Sequence, residues 1–429
     1  MKAIKLMLFC VLMAILTLGC LSCQETSSDG GAPTHTQNIP TVAQHLGRSA
    51  LVGNELYLKP LGGSSNYHCG IFVCDPDAES FEPYYPCYVP SCRHNGPECV
   101  ALAEYNLFNL RLTACGDSGE PTVVMCSTNG DVYISKPISN EKRKPSGSDY
   151  SAGPKTNLFI YGDHLYYSQK VGSTYIQYRV SLDDGVTERV FEQDNIIIKT
   201  ILNNKYYGVI YKSEIQVATP LTNDDVTYFR SDMDYQNVET LPEMMWFFYT
   251  PEEKFIIRAT AILDADEQSI YVLQDHKIWA FSDADIYAEP KMVFDMEVFN
   301  LGKWQESQSS SWYRDGMLHF IWNYTHSSRV LLDQYGSGQV SRGWYKTSHL
   351  YSINIMTGEY EVTDIATDTA QFRDIFFIDD KYLYGEGVYA HYDGRSDYSV
   401  LMRLNLDTLE CEPKLCEEFL AYTPETTVD

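Results

Sequence analysis

The residues best suited to chemistry lie in one run, Cys87-Tyr88-Val89-Pro90-Ser91-Cys92-Arg93-His94-Asn95-Gly96-Pro97-Glu98-Cys99. Three sulfurs and the His94 imidazole within 13 residues could close a tetrahedral zinc site, because thiolates and neutral imidazole suit that ion. Cys69 or Cys74 could stand in for one ligand. The competing chemistry is oxidation. Outside the cytosol the same cysteines would form disulfides and staple a proline-rich insertion that has little core of its own, and this is the expectation we favour. Read as one extended strand, Cys69 and Cys74 stand roughly 16 Å apart, beyond disulfide reach, so each would need a distant partner. No cofactor is expected apart from that candidate zinc.

Other reactive constellations are weaker. The sequence has no Gly-x-Ser-x-Gly elbow, His-Glu-x-x-His zinc helix, P-loop or dinucleotide glycine fingerprint. His164, His276, His319 and His391 fall in or near strand patterns, where packed or surface roles are expected. Asp264, Asp266 and Glu267 could offer hard oxygens to calcium, yet they also fit a plain turn. No catalytic residue is assigned, and a non-enzymatic role is the favoured one.

The N-terminus reads as an export signal, with Lys2 and Lys5 before an apolar run from Leu6 to Leu18. That run is shorter than the roughly 20 residues a membrane-spanning helix needs, so residues 1–19 are expected to be removed. Gly19-Cys20 resembles the lipobox of bacterial lipoproteins, which implies acylation at Cys20; Thr17 departs from the Leu usual three residues before the cysteine. Cys23 is the alternative. Residues 20–40 are mostly Ser, Gly, Thr, Asp and Pro, a composition that makes a flexible tether. The expected location is the outer side of a cell membrane, with the lipid as the anchor.

The formal charge of the 429-residue chain is -26. Such an acidic surface repels phosphate backbones, so nucleic acid is excluded as a partner and membrane contact is left to the lipid. The basic run Lys142-Arg143-Lys144 is expected to be a solvated loop. The 33 tyrosines and 18 phenylalanines favour strands. Tyrosine so abundant serves either as β-core or as a sugar-stacking surface.

Past residue 40 a pattern of apolar strand, Asn/Asp/Gly turn and aromatic strand recurs. Phe159-Ile160-Tyr161-Gly162-Asp163-His164-Leu165-Tyr166-Tyr167 and Ile201-Leu202-Asn203-Asn204-Lys205-Tyr206-Tyr207 are two of six clear copies. A second hairpin is expected after each of them, most clearly in Tyr178-Arg179-Val180-Ser181-Leu182-Asp183-Asp184-Gly185-Val186-Thr187. Two hairpins make a four-stranded blade, and blades that cannot bury both faces alone stack around an axis.

These repeats resemble the low-density-lipoprotein-receptor-like and TolB-like β-propellers of uncharacterised Gram-positive lipoproteins. An all-β propeller over residues 41–429 is expected, with a Cys-rich insertion at about 69–126. Six or seven blades are predicted and seven are favoured, the extra one between Leu107 and Ile138; two stacked β-sandwiches are the other architecture considered. The expected role is a monomeric binding or scaffolding module for a protein, peptide or glycan. A polysaccharide hydrolase or lyase is one alternative, and a metal or redox sensor built on Cys87 to Cys99 is another.

Overall fold

In the computed structural model the described residues are 42–45, 49–52, 54–58, 71–92, 99–101, 111–115, 121–126, 130–147, 155–171, 174–191, 195–211, 226–247, 260–300, 309–314, 316–325, 345–365, 370–389 and 399–414. The leader at 1–19, the tether at 20–40 with Cys20 and Cys23, and Cys69, His94 and His391 lie outside them. No helix among the described residues is long and apolar enough to cross a membrane.

Seven antiparallel sheets follow one another along the chain. Blade 1 holds β2 (Ser49–Val52), β3 (Glu55–Leu58) and β4 (Phe72–Cys74), and a bridge from Val73 to Tyr84 extends its outer edge. Blade 2 holds β5 (Arg111–Cys115), β6 (Thr122–Cys126), β7 (Val132–Lys136) and β8 (Glu141–Arg143). Blade 3 is β9 (Lys155–Tyr161), β10 (His164–Val171), β11 (Thr174–Ser181) and β12 (Thr187–Arg189), with β1 (Gln44–His45) added beside β9. Blade 4 is β13 (Ile196–Leu202), β14 (Lys205–Tyr211), β15 (Val226–Asp232) and β16 (Glu239–Thr240). Blade 5 is β17 (Ala261–Ala265), β18 (Ser269–Gln274), β19 (Lys277–Ser282) and β20 (Lys291–Asp295). Blade 6 is β21 (Ser309–Arg314), β22 (Met317–Thr325), β23 (Tyr345–Asn354) and β24 (Tyr360–Asp364). Blade 7 is β25 (Ala370–Ile378), β26 (Tyr382–Tyr389), β27 (Ser399–Asn405) and β28 (Cys411–Lys414).

The fold is thus a seven-bladed β-propeller. The seventh sheet, at 111–143, covers the region where an extra blade is predicted. Cys74, Cys115 and Cys126 belong to strands of blades 1 and 2, so the inserted part of the cysteine-rich stretch runs between β4 and β5. Lys142 and Arg143 stand in β8 rather than in a loop.

Local chemistry explains the hairpins. Asn203 and Asn204 both adopt positive φ (47° and 56°), and Gly162 sits at 59°. These values give the tight turns whose twist matches the flanking strands. Between them, Tyr57, Tyr133, Tyr167, Tyr206, Tyr207 and Tyr384 are among the largest fully buried side chains. Each such ring buried is worth roughly 1.5–3 kcal/mol, so most of these aromatics serve as core.

The first strands of neighbouring blades approach one another, as β2 with β5, β9 with β13 and β21 with β25, which puts them nearest the axis. Residues 42–45 lie along two of these inner edges: β1 pairs with β9, while the Ala43 amide donates to Ile201 O at 2.9 Å. The ring closes without strand exchange, since blade 7 consists only of the last four strands. An apolar layer joins it to blade 1, with Leu56, Leu58 and Phe81 facing Phe377, Tyr384 and Leu401.

Candidate functional site

The Cys87, Cys92 and Cys99 sulfurs come together, all within 4.8 Å of one another. Among the described residues this is the group of Cys, His, Asp and Glu side chains placed to hold a metal ion. The chain makes a turn to achieve it, with the Cys92 amide donating to Val89 O at 3.0 Å around Pro90 and Ser91. On the far side of the insertion, Cys99 returns beside Ala101, whose carbonyl accepts from the Ile71 amide at 3.0 Å.

The segment is held by both adjoining blades. Val73 and Tyr84 exchange backbone hydrogen bonds of 2.8 and 2.9 Å, fixing the start of the insertion to blade 1. From blade 2, Ser135 Oγ donates to Val100 O at 3.0 Å and Lys142 Nζ to Cys99 O at 2.8 Å. Around the sulfurs, Tyr57, Val73, Val123, Met125 and Tyr133 form an apolar layer.

Burial pushes the Cys87 and Cys99 thiols up from their ordinary value, because it desolvates the thiolate form. Two backbone donors oppose that rise: the Val89 amide points at the Cys87 sulfur, and the Ala101 amide at that of Cys99. No pair of described cysteines stands at disulfide distance. Cys74 lies apart, in the layer between blades 7 and 1, where its thiol is raised to about 12 by burial.

The inner strands carry a second set of polar groups, and these are engaged with one another. Lys199 Nζ donates to Asn157 Oδ1 at 2.9 Å, from blade 4 to blade 3. Lys155 Nζ donates to Gly130 O at 3.0 Å, from blade 3 to blade 2. The Asp264 carboxylate accepts from Tyr313 Oη of blade 6, and also from the Ala265 amide at 2.7 Å. Asp266 accepts from the Gln268 and Ser269 amides and from Tyr271 Oη, the pattern of a turn. Asp264 and Asp266, two of the three residues read as a calcium candidate, therefore do structural work.

Of the histidines, His164 pairs with Asp163 at 2.5 Å, and His276 sits in the β18–β19 turn with φ 62°. His319 is buried, with Nδ1 2.8 Å from Ser352 Oγ, and burial lowers its pKa to about 4.

A third feature lies on the outer part of blades 5 and 6. The Tyr360 ring rests on Phe294 and Phe299, with centroids 5.4 and 5.1 Å away, yet 54% of the residue remains exposed. Val298 and Val362 are exposed on the same two blades. The sequence left no mark that separates Tyr360 from the many core tyrosines. The distinguishing fact is its place at the head of an outermost strand that is exposed throughout except for the half-buried Thr363.

No protein-family model matches the chain, and no curated protein matches it significantly. Solved structures do. The chain is similar to an oligogalacturonate lyase of Vibrio parahaemolyticus at 10% identity and TM-score 0.38, over 72% of this chain and 86% of that one. It is similar to the β-propeller domain of the trilobed protease of Pyrococcus furiosus at 10% identity and TM-score 0.40, over 87% and 97%. The third is TolB of Acinetobacter baumannii, at 9% identity and TM-score 0.32, over 68% of this chain and 60% of that one.

Proposed function

We propose that the chain is a lipid-anchored binding module outside the cell: acyl-Cys20, a polar tether, and a propeller that engages a protein, peptide or glycan partner. The observation that carries it is Tyr360, a large aromatic left more than half exposed while two phenylalanine rings hold it from behind. Such a side chain gives contact area at little cost in entropy, because its position is set before the partner arrives. Val298 and Val362 of the same two blades are exposed as well. The acidic chain disfavours nucleic acid, and a monomer suffices.

The test probes the purified chain against a glycan array and a displayed random-peptide library, while the same polysaccharides are assayed for new reducing ends and unsaturated products. Saturable capture that weakens about tenfold or more in Tyr360→Ala, the loss expected of an interface anchor, supports a binding module. Time-dependent cleavage of a polysaccharide would replace it with an enzyme.

A further inference from the structure

We propose that Cys87, Cys92 and Cys99 bind one thiophilic cation, zinc above all, as three thiolates. Number and distance both speak for a metal. A disulfide consumes two sulfurs and an oxidant, whereas three converge here within 4.8 Å of one another. Tetrahedral zinc–sulfur bonds of about 2.3 Å place sulfurs about 3.8 Å apart, so the cluster reaches that geometry with a contraction of at most about 1 Å.

The surroundings suit a thiolate site. Val89 and Ala101 each lie two residues beyond a cysteine, and their amides donate to the Cys87 and Cys99 sulfurs. Donors to a ligating atom orient it and spread its charge. The apolar layer around the sulfurs keeps the field between cation and thiolates unscreened. Three thiolates on a dication leave one net negative charge, and the Lys142 ammonium, 2.8 Å from Cys99 O, stands beside it. On binding, each thiol loses its proton to solvent, three per cation, and no electron is transferred. The fourth tetrahedral position is left to water or a further ligand.

The consequence is structural. The metal would join the two ends of an insertion that touches blade 1 through Tyr84 and blade 2 through Ser135 and Lys142. It would do for this segment what a core too small to hold it cannot.

The full chain, purified in detergent under reductant and without chelator, is analysed for metal and titrated with cobalt(II). We expect about one zinc per chain, and a sulfur-to-cobalt charge-transfer band of the intensity of three thiolate bonds. Cys92→Ala, at the half-buried member, should weaken binding about a hundredfold or more with the circular dichroism unchanged. Cys74→Ala should leave the band intact. The proposal is overturned by a folded wild-type chain that carries no zinc and gives no band, by peptide mapping of chain whose free thiols were alkylated at lysis, without reductant, that finds two of the three cysteines in a disulfide, or by a Cys92→Ala chain that binds as tightly as wild type.

Discussion

Arg403 of β27 is 0% exposed and its Nη2 lies 2.6 Å from Oε1 of Glu412 on β28. The same guanidinium donates to the Ala78 and Glu79 carbonyls at 2.7 Å each, while Glu412 Oε2 accepts from the Phe81 amide at 3.0 Å. One ion pair thus fastens the last blade to the chain that leaves the first. Arg230 performs the same task within the ring: paired to Glu239, it reaches Asp283 of blade 5 through Oδ1 at 3.0 Å and the carbonyl at 2.9 Å. The closure is therefore an ordinary blade interface, and no shared strand is needed to hold it. Arg179 and Glu188 are the third such pair, at 2.7 Å, with the arginine 41% exposed.

These pairs predict a graded series. Removing the carboxylate strands its arginine, and the cost depends on how far water can reach that arginine. Glu412→Ala should cost about 1–3 kcal/mol, because Arg403 is buried but keeps the Ala78 and Glu79 carbonyls as acceptors and Glu412 itself is 40% exposed, and Glu188→Ala at most about 1 kcal/mol. Glu239→Ala should fall between them, since Asp283 remains as a partner for Arg230. Urea midpoints measure all three, and equal losses would mean that burial of the guanidinium is not what matters.

The blades were legible because hairpin chemistry is local. Asn203-Asn204 and Gly162 mark turns by the φ values that they alone tolerate cheaply, and alternating aromatics mark the strands beside them. The arginine–glutamate ties also left a trace, since Arg179–Glu188, Arg230–Glu239 and Arg403–Glu412 each pair residues nine positions apart. That spacing spans a tight turn, and each arginine faces a tyrosine on the preceding strand, Tyr166, Tyr207 or Tyr384. What spacing could not decide was the state of the cysteines. Disulfide and thiolate cluster need the same residues and differ only in distance between sulfurs, a property of how blades 1 and 2 meet.

The third turn of several blades supplies a second prediction. Gly185, Gly358 and Leu409 each donate an amide to the residue four before them, and each has φ near +60° to +80°. A Leu in that region carries about 1–2 kcal/mol of strain. Leu409→Gly should therefore raise stability by up to about 1 kcal/mol after the loss of some side-chain burial. Gly358→Ala should do the opposite and by more, because its Cβ would meet Val293 O at 2.7 Å in blade 5. Thermal melts of the two variants should move in opposite directions.

Anchoring is tested at one atom. If the Cys20 sulfur carries the lipid, Cys20→Ala should move the chain from the membrane fraction to the soluble one and remove the acyl mass from its N-terminal peptide. Cys23→Ala should change neither. One acyl chain alone binds only marginally and two hold stably, so partial release would point to incomplete acylation, and an unchanged distribution in Cys20→Ala would remove that cysteine as the anchor.

His319 predicts how the fold responds to acid. It occupies the strand position that Tyr166, Tyr207 and Tyr384 hold in other blades, with Ser352 where their arginines stand, so its cross-strand partner is a hydroxyl and not a guanidinium. Desolvation lowers its pKa from 6.5 to about 4, which means that the folded chain refuses a proton the unfolded chain accepts. The contribution to stability is whole above pH 6.5 and is lost as pH falls toward 4, by up to about 3 kcal/mol. His319→Gln, which keeps an acceptor for Ser352, should be less stable than wild type at pH 7 by no more than its packing defect. Its loss of urea resistance between pH 7 and 4.5 should be smaller than that of wild type. A slope identical in both proteins would assign the acid sensitivity to the carboxylates.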